Sequence, residues 1–336
     1  MLLLRNTSIP CVALYLLGSF QPALAQSTWK ELDAKGRRAF DASEFQKACN
    51  VFSKAVKQAE KEFGPRDQHV AISLINLAES HRRVGNADEA EKEYNKGIAI
   101  LEGTVGPEHL AVGRALARLG EFYVFRFEYN SRALVGAAMT HGAPVRPGGL
   151  TTGDPRVAAQ QPRIPVPEPG SELQPDYFQP KLHKARPVLR RALAILEKHL
   201  GPNHSELVPV LHSLAIVEFL DKQYGPAESY MLRATSNALL DPGTDNATRA
   251  ILFTETAKCS AAAGKHGDAD TYYREAVRLL ENSERLGATH LPNVLQEWSD
   301  TLRAAGRPEE AEKVLQQIPG AKARAKELAA QNPPKK

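Results

Sequence analysis

The chain has 336 residues, 42% of them hydrophobic, with 43 Lys and Arg against 39 Asp and Glu for a net charge of +4. A balance that mild, without a dense basic run or a base-stacking motif, argues against nucleic acid as a partner. The length permits one large domain or an array of small units, and internal repetition decides between them.

Residues 1–25 read as a secretory signal. Arg5 supplies a modest positive start, Val12 to Phe20 an apolar stretch, and Ala23-Leu24-Ala25 an A-x-A cleavage site before Gln26. The apolar run is too short for a membrane span, although Pro10 shortens it and an uncleaved anchor is the rival reading. Cys11 follows Ser-Ile-Pro rather than a lipobox, which speaks against a lipid anchor. The expectation is a bacterial protein, periplasmic or secreted, with no stable membrane span once the signal is removed.

From residue 26 the pattern is that of amphipathic helices in pairs. The first pair spans about Trp29–Glu62 and the second Val70–Val105. In the second, Ile72, Leu74, Ile75, Leu77 and Ala78 fall at three-to-four spacing until Gly85-Asn86 ends the run. Ala90, Tyr94, Ile98 and Leu101 then share a face before Gly106-Pro107 stops the helix. A third pair opens with Ala111–Phe127 and resumes near Lys181, with Pro187 near the start of its second helix, where a late helix start would lessen the cost. Further pairs follow at Glu206–Leu240, Ala247–Leu286 and Leu291–Ile318. After Pro319-Gly320, Ala321–Gln331 reads as a polar helix covering the end of the stack, with residues 332–336 frayed.

Six copies stand in register. Ala48, Ala90, Ala185, Ala227, Ala269 and Ala311 form a small-residue column with a step of 42, broken once by an insertion of 53 residues. Four positions later stand Phe52, Tyr94, Leu189, Met231, Tyr273 and Leu315, and a third column runs Ala55, Gly97, Ala192, Ala234, Ala276 and Ile318. First helices give Leu32, Leu74, Leu116, Leu211, Phe253 and Leu295. Small residues let two helix backbones approach, and the large one fills the groove beside them, which is what stacked antiparallel pairs need.

The interruption is residues 130–180. It holds nine prolines from Pro144 to Pro180, a composition that favours extended, disordered chain and cannot bury a core. It leaves between the two helices of one repeat, where a long loop costs little. Arg163 to Pro167 or Tyr177-Phe178 are candidate tethered ligands within it.

The small–large–small columns, with Gly36, Gly120 and Tyr123 in first helices, resemble the tetratricopeptide repeat. The 42-residue step and the phrases F-G-P-R-D, V-G-P-E-H and L-G-P-N-H are similar to the long repeats of kinesin light chains. The resemblance covers about residues 29–318 outside the insertion; Lys35 and Thr256-Ala257 depart from its pattern. It implies an all-α fold, a superhelical TPR-like α-solenoid of six helix-turn-helix repeats. The organisation is then a signal (1–25), repeats (26–129), the proline-rich insertion (130–180), the remaining repeats (181–318) and a capping helix with tail (319–336).

No H-E-x-x-H, G-x-x-x-x-G-K-[ST], G-x-S-x-G or Cys-x-x-Cys is present, so neither enzyme nor cofactor is expected. His109 and His204 read as turn residues, and His199, His204 and His212 lack the partners that would complete a metal site. Cys49 and Cys259 lie four repeats apart, too far for a disulfide. Glu79 and Glu121 occupy matching positions of adjacent first helices. The resemblance implies partner binding on a concave wall of first helices. Projected there, Arg37, Arg82, Arg83, Arg114 and Arg118 make a basic N-terminal half, and Val124, Phe125, Ile216 and Phe219 an apolar middle. The expected guest is an acidic peptide or protein with an aliphatic anchor. An accessory or carrier for envelope glycan or lipid assembly is the other reading, and would call for more inner-face aromatics.

Overall fold

The computed structural model describes residues 28–139, 179–281 and 284–331; the signal, most of the proline-rich segment and the tail after Gln331 lie outside them. Helices pair as follows: α1 (Trp29–Asp41) with α2 (Phe45–Phe63), α3 (Gln68–Val84) with α4 (Ala87–Val105), and α5 (Leu110–Met139) with α6 (Gln179–Leu200). A 3-10 turn at Ser205–Leu207 leads into α7 (Val208–Leu220), paired with α8 (Tyr224–Leu240), and α9 (Asn246–Ala262) pairs with α10 (His266–Glu281). The last units are α11 (Glu284–Ala304), α12 (Pro308–Leu315) and α13 (Ile318–Gln331), with α12 and α13 both packed on α11. Each second helix also packs on the next first helix, so the pairs stack in chain order.

The small-residue column is the seam of this stack. Ala48, Ala90, Ala185, Ala227, Ala269 and Ala311 are all 0% exposed. Beside them Phe52, Tyr94, Leu189, Met231 and Tyr273 are fully buried, and only Leu315, in the short α12, is half-buried. The facing first-helix position is Gly36, Ala78, Gly120, Ala215, Ala257 and Ser299, every one buried. At Gly36 a Cβ would stand 2.5 Å from the Phe52 ring, and at Gly120 it would run into Leu189. The backbones approach until only a hydrogen or a methyl separates them from the large residue opposite.

Turns within pairs follow the same step. Ser43, Gly85, Lys222, Gly264 and Gly306 take φ between 59° and 92°, a left-handed kink that reverses the chain. In the third repeat that position is Phe127, a bulky residue that resists positive φ. There α5 does not turn but runs on to Met139, ten residues beyond the boundary expected at 129. Its partner α6 starts at Gln179, leaving Pro187 well inside the helix rather than near a late start. Two more boundaries move: α11 begins at Glu284, seven residues before Leu291, and Ile318 opens α13 instead of closing the sixth repeat. Pro319 is tolerated there because first-turn N–H groups have no helical acceptor.

Turns between pairs are capped by side chains. The Asp67 carboxylate accepts from His69 N at 2.8 Å. His109 and His204 do the same through Nδ1, accepting from Ala111 N at 3.2 Å and Glu206 N at 3.1 Å. These are the turn roles expected of both histidines.

Candidate partner-binding face

First helices of neighbouring repeats touch along one side of the stack, α3 with α5, α5 with α7 and α9 with α11. On that side a cleft of about 380 Å³ opens over α1, α3 and α5, lined by Arg37, Phe40, Ile72, Asn76, Glu79 and Arg118 among others. Its charged groups are Arg37 and Glu79, one step of 42 apart, Arg118, one step after Asn76, and the Asp41 carboxylate. Asn76 Nδ2 donates to Asp33 Oδ1 at 3.1 Å, tying α3 to α1 beneath the cleft.

Three of the five predicted arginines, Arg37, Arg82 and Arg114, pair with carboxylates of the chain. Arg82 is largely buried and donates through Nε to both Glu79 oxygens, at 3.0 and 3.1 Å. The buried Tyr94 hydroxyl donates to the same carboxylate at 2.6 Å. Burial alone would push Glu79 up, but Arg82 and Tyr94 outweigh it and hold the carboxyl below its ordinary range. Glu121 lies near the same charges and has no direct partner among the described residues, and there burial wins, raising its pKa. The two glutamates expected to neighbour each other across the inner face do so, in opposite electrostatic settings.

The remaining predicted residues are placed as follows. Arg37 pairs with Asp33 at 2.7 Å and Arg114 forks onto Glu206 with two bonds of 2.8 Å. Arg83 lies over the Phe45 ring, 4.4 Å from its centroid. Arg118 is exposed and forms no ion pair among the described residues. Val124 is a correction: it is 3% exposed, in the core cluster that also holds Leu214 and Val217 of α7, so it offers no surface to a guest. The side chain of Phe125 lies outside the described residues. Ile216 and Phe219 are half-buried, with Phe219 packed edge-on against Tyr224 at 5.3 Å between centroids.

Sequence reasoning missed Phe40 and Asn76 as cleft residues and Asp33 as the carboxylate that answers Arg37. The 42-step columns carried the signal, had they been read for polar as well as apolar side chains. A wider depression of about 720 Å³ between α8 and α9 was also missed. Its charges are satisfied internally, since Glu228 accepts from Lys265 at 2.6 Å and from Ser260 at 2.8 Å. Among the described residues no cluster of three His, Cys, Asp or Glu is placed to hold a metal, and no helix is long and apolar enough to cross a membrane. His199 instead meets the Glu108 carbonyl through Nε2 at 2.8 Å.

Tetratricopeptide-repeat family models match residues 39–103 and 69–131, and a second such model matches 180–206. Among solved structures the fold is shared with BtubC (BKLC) from P. vanneervenii, at 15% identity and TM-score 0.53, covering 74% of this chain and 78% of that one. It is shared as well with a Podosopora anserina kinesin-light-chain-like protein of nearly identical TPR-like repeats, at 16% identity and TM-score 0.52, covering 77% and 97%. No curated protein sequence matches the chain.

Proposed function

We propose that this chain, a solenoid of tetratricopeptide repeats of the kinesin-light-chain kind, is a non-catalytic scaffold that holds an extended segment of another protein against α1, α3 and α5. The observation that carries the reading is the cleft those helices form, with apolar Phe40 and Ile72 beside the Arg37 and Arg118 guanidiniums. Among the described residues no carboxylate is bound to Arg118, and Arg37 is 59% exposed although paired. A guest carboxylate fits between them, and a neighbouring aliphatic side chain fits over Ile72. The recognised feature is thus a single acidic group beside an apolar anchor, not a long acidic tract, because Arg82 and Arg114 are already engaged. We place the protein in the bacterial periplasm or outside the cell, on the strength of Ala23-Leu24-Ala25 before Gln26.

The test is site-specific photo-crosslinking in cells from position 41, exposed at the edge of the cleft, with position 96 on α4 as the control. A partner captured from 41, absent from 96 and lost on Arg37→Glu with Arg118→Glu, is the expected result. The same background proteins from both positions would overturn it. Sequencing the mature N-terminus tests the location, with Gln26 as the expected first residue.

A further inference from the structure

The outward side of the second helices is charged, with one exception. On α8, Gly225, Ser229, Leu232, Ser236 and Leu239 follow at steps of three and four and share one face, exposed except for the half-buried Leu232. At the corresponding positions α2 carries Lys57 and Glu60, α4 Asp88, Lys92 and Glu102, α6 Arg190 and Glu197, and α10 Arg274, Arg278 and Glu281. On α8 none of the five is charged. The last column reads Glu60, Glu102, Glu197, Leu239 and Glu281, and the position after it turns from Lys198 in the third repeat to Leu240 in the fourth. Leu239 and Leu240 are 46% and 63% exposed, Leu240 more so than any other large apolar side chain among the described residues. The two charges that α8 does carry are used inside the chain, Glu228 by Lys265 and Ser260, and Arg233 by Glu197.

The same face carries a hollow. The depression of about 720 Å³ opens between Gly225, Ser229 and Leu232 of α8 and Ala262, Ala263 and Lys265 at the turn into α10. Two exposed leucines at one end of a helix face, and a hollow walled by small and apolar side chains at the other, are the halves of a self-complementary contact. A two-fold axis puts each pair of leucines over the other copy's hollow and closes after two copies. An axis near the level of Ala234 sets Leu239 over Ser229 and Leu232 over Ser236. The charges agree with that arrangement. Lys222 and Lys265 stand at the N-terminal end of α8, and Asp241 and Asp245 at its C-terminal end. Antiparallel copies therefore bring unlike charges together, and opposed helix dipoles with them. Of the opposite charges nearby, Asp221 is bound to Arg186, and Arg249 donates to the Asp241 carbonyl.

We propose that the outer face of α8 joins two copies of this chain, antiparallel about a two-fold axis, with Leu239 and Leu240 of each copy seated in the hollow of the other. The contact lies on a second helix and the cleft on first helices, so pairing leaves the cleft of each copy open. A helix face about 25 Å long and about 10 Å wide falls well short of the ~800 Å² per partner of a standard interface. The copies therefore pair when concentrated and part on dilution.

Sedimentation velocity of the purified protein between about 1 and about 100 µM tests this, with a shift from monomer to dimer expected as concentration rises. Leu239→Glu with Leu240→Lys supplies the pair that the first and third repeats carry as Glu60-Lys61 and Glu197-Lys198, so it keeps the fold. It should raise the dissociation constant at least ~10-fold. Ser236→Cys, near the axis, should give a disulfide-linked dimer under mild oxidation, and Lys57→Cys, at the same place on α2, should not. A monomer at every concentration, or pairing undiminished in the leucine double variant, overturns the proposal. So does photo-crosslinking in cells from position 236 that captures another protein and never a second copy, which would give the face to that protein.

Discussion

Two identical substitutions should move stability in opposite directions. Gly103 and Gly120 both lie in helices. A Cβ at Gly103, exposed on α4, meets nothing within 4 Å, whereas one at Gly120 collides with Leu189 of α6. In each case Gly→Ala gains about 0.5–1 kcal/mol of helix propensity. At Gly120 the added methyl must also push Leu189 or its backbone aside, which costs roughly 1–3 kcal/mol in a packed interior. Gly103→Ala is therefore expected to stabilise by about 0.5–1 kcal/mol, and Gly120→Ala to destabilise by up to about 2 kcal/mol. Urea unfolding monitored by circular dichroism reads both, and an unchanged slope shows that the native and denatured states are otherwise alike. Combining Gly120→Ala with Leu189→Ala should cost less than the sum of the two alone, since the second change vacates the space the first needs. Equal effects at both glycines, or strict additivity in the pair, would refute the close approach of α5 to α6 on which the seam depends.

Tyr94→Phe removes the hydroxyl that donates to Glu79 and should cost about 1.5–3 kcal/mol, the worth of a hydrogen bond to a charged group, read as a lower urea midpoint. The pH dependence of stability should report His81. Its folded pKa, near 10, lies above the unfolded value of about 6.5, so its contribution is complete below ~6.5 and is lost as pH rises through about 10. Unfolding free energies measured between pH 6 and 10 should therefore fall more in the wild type than in His81→Gln.

The stack was legible because its physics is periodic. A helix crossing that admits only a methyl forces the same residue type at each recurrence, and the alanines from Ala48 to Ala311 mark it without exception. Departures from the array were less visible. Phe127 at the turn position is a signal that α5 should run on, but it speaks through backbone conformation rather than hydrophobic pattern. Val124 looked like wall by its place in the repeat; it is buried because α5 packs on α7. The charges were least legible. Glu79 sits three residues before Arg82, a spacing that foretells a pair on one helix face. Nothing local links Arg114 to Glu206, which are 92 residues apart. A basic face inferred from arginines alone ignores carboxylates that folding brings from elsewhere.

Among the described residues the buried side chains fall into three clusters rather than one continuous interior. One cluster runs from Ala39 to Leu77, a second from Ala71 to Cys259 and a third from Ala250 to Ala321. The last two meet within α9, which contributes Leu252 and Cys259 to one and Ala250 and Ala257 to the other. Pulled from its two ends, such a molecule behaves less like a rod that snaps than like a hinged ruler, and the outer segments let go while the middle still holds. A guest seated across α1, α3 and α5 would straddle the first of those joints and act as its splint.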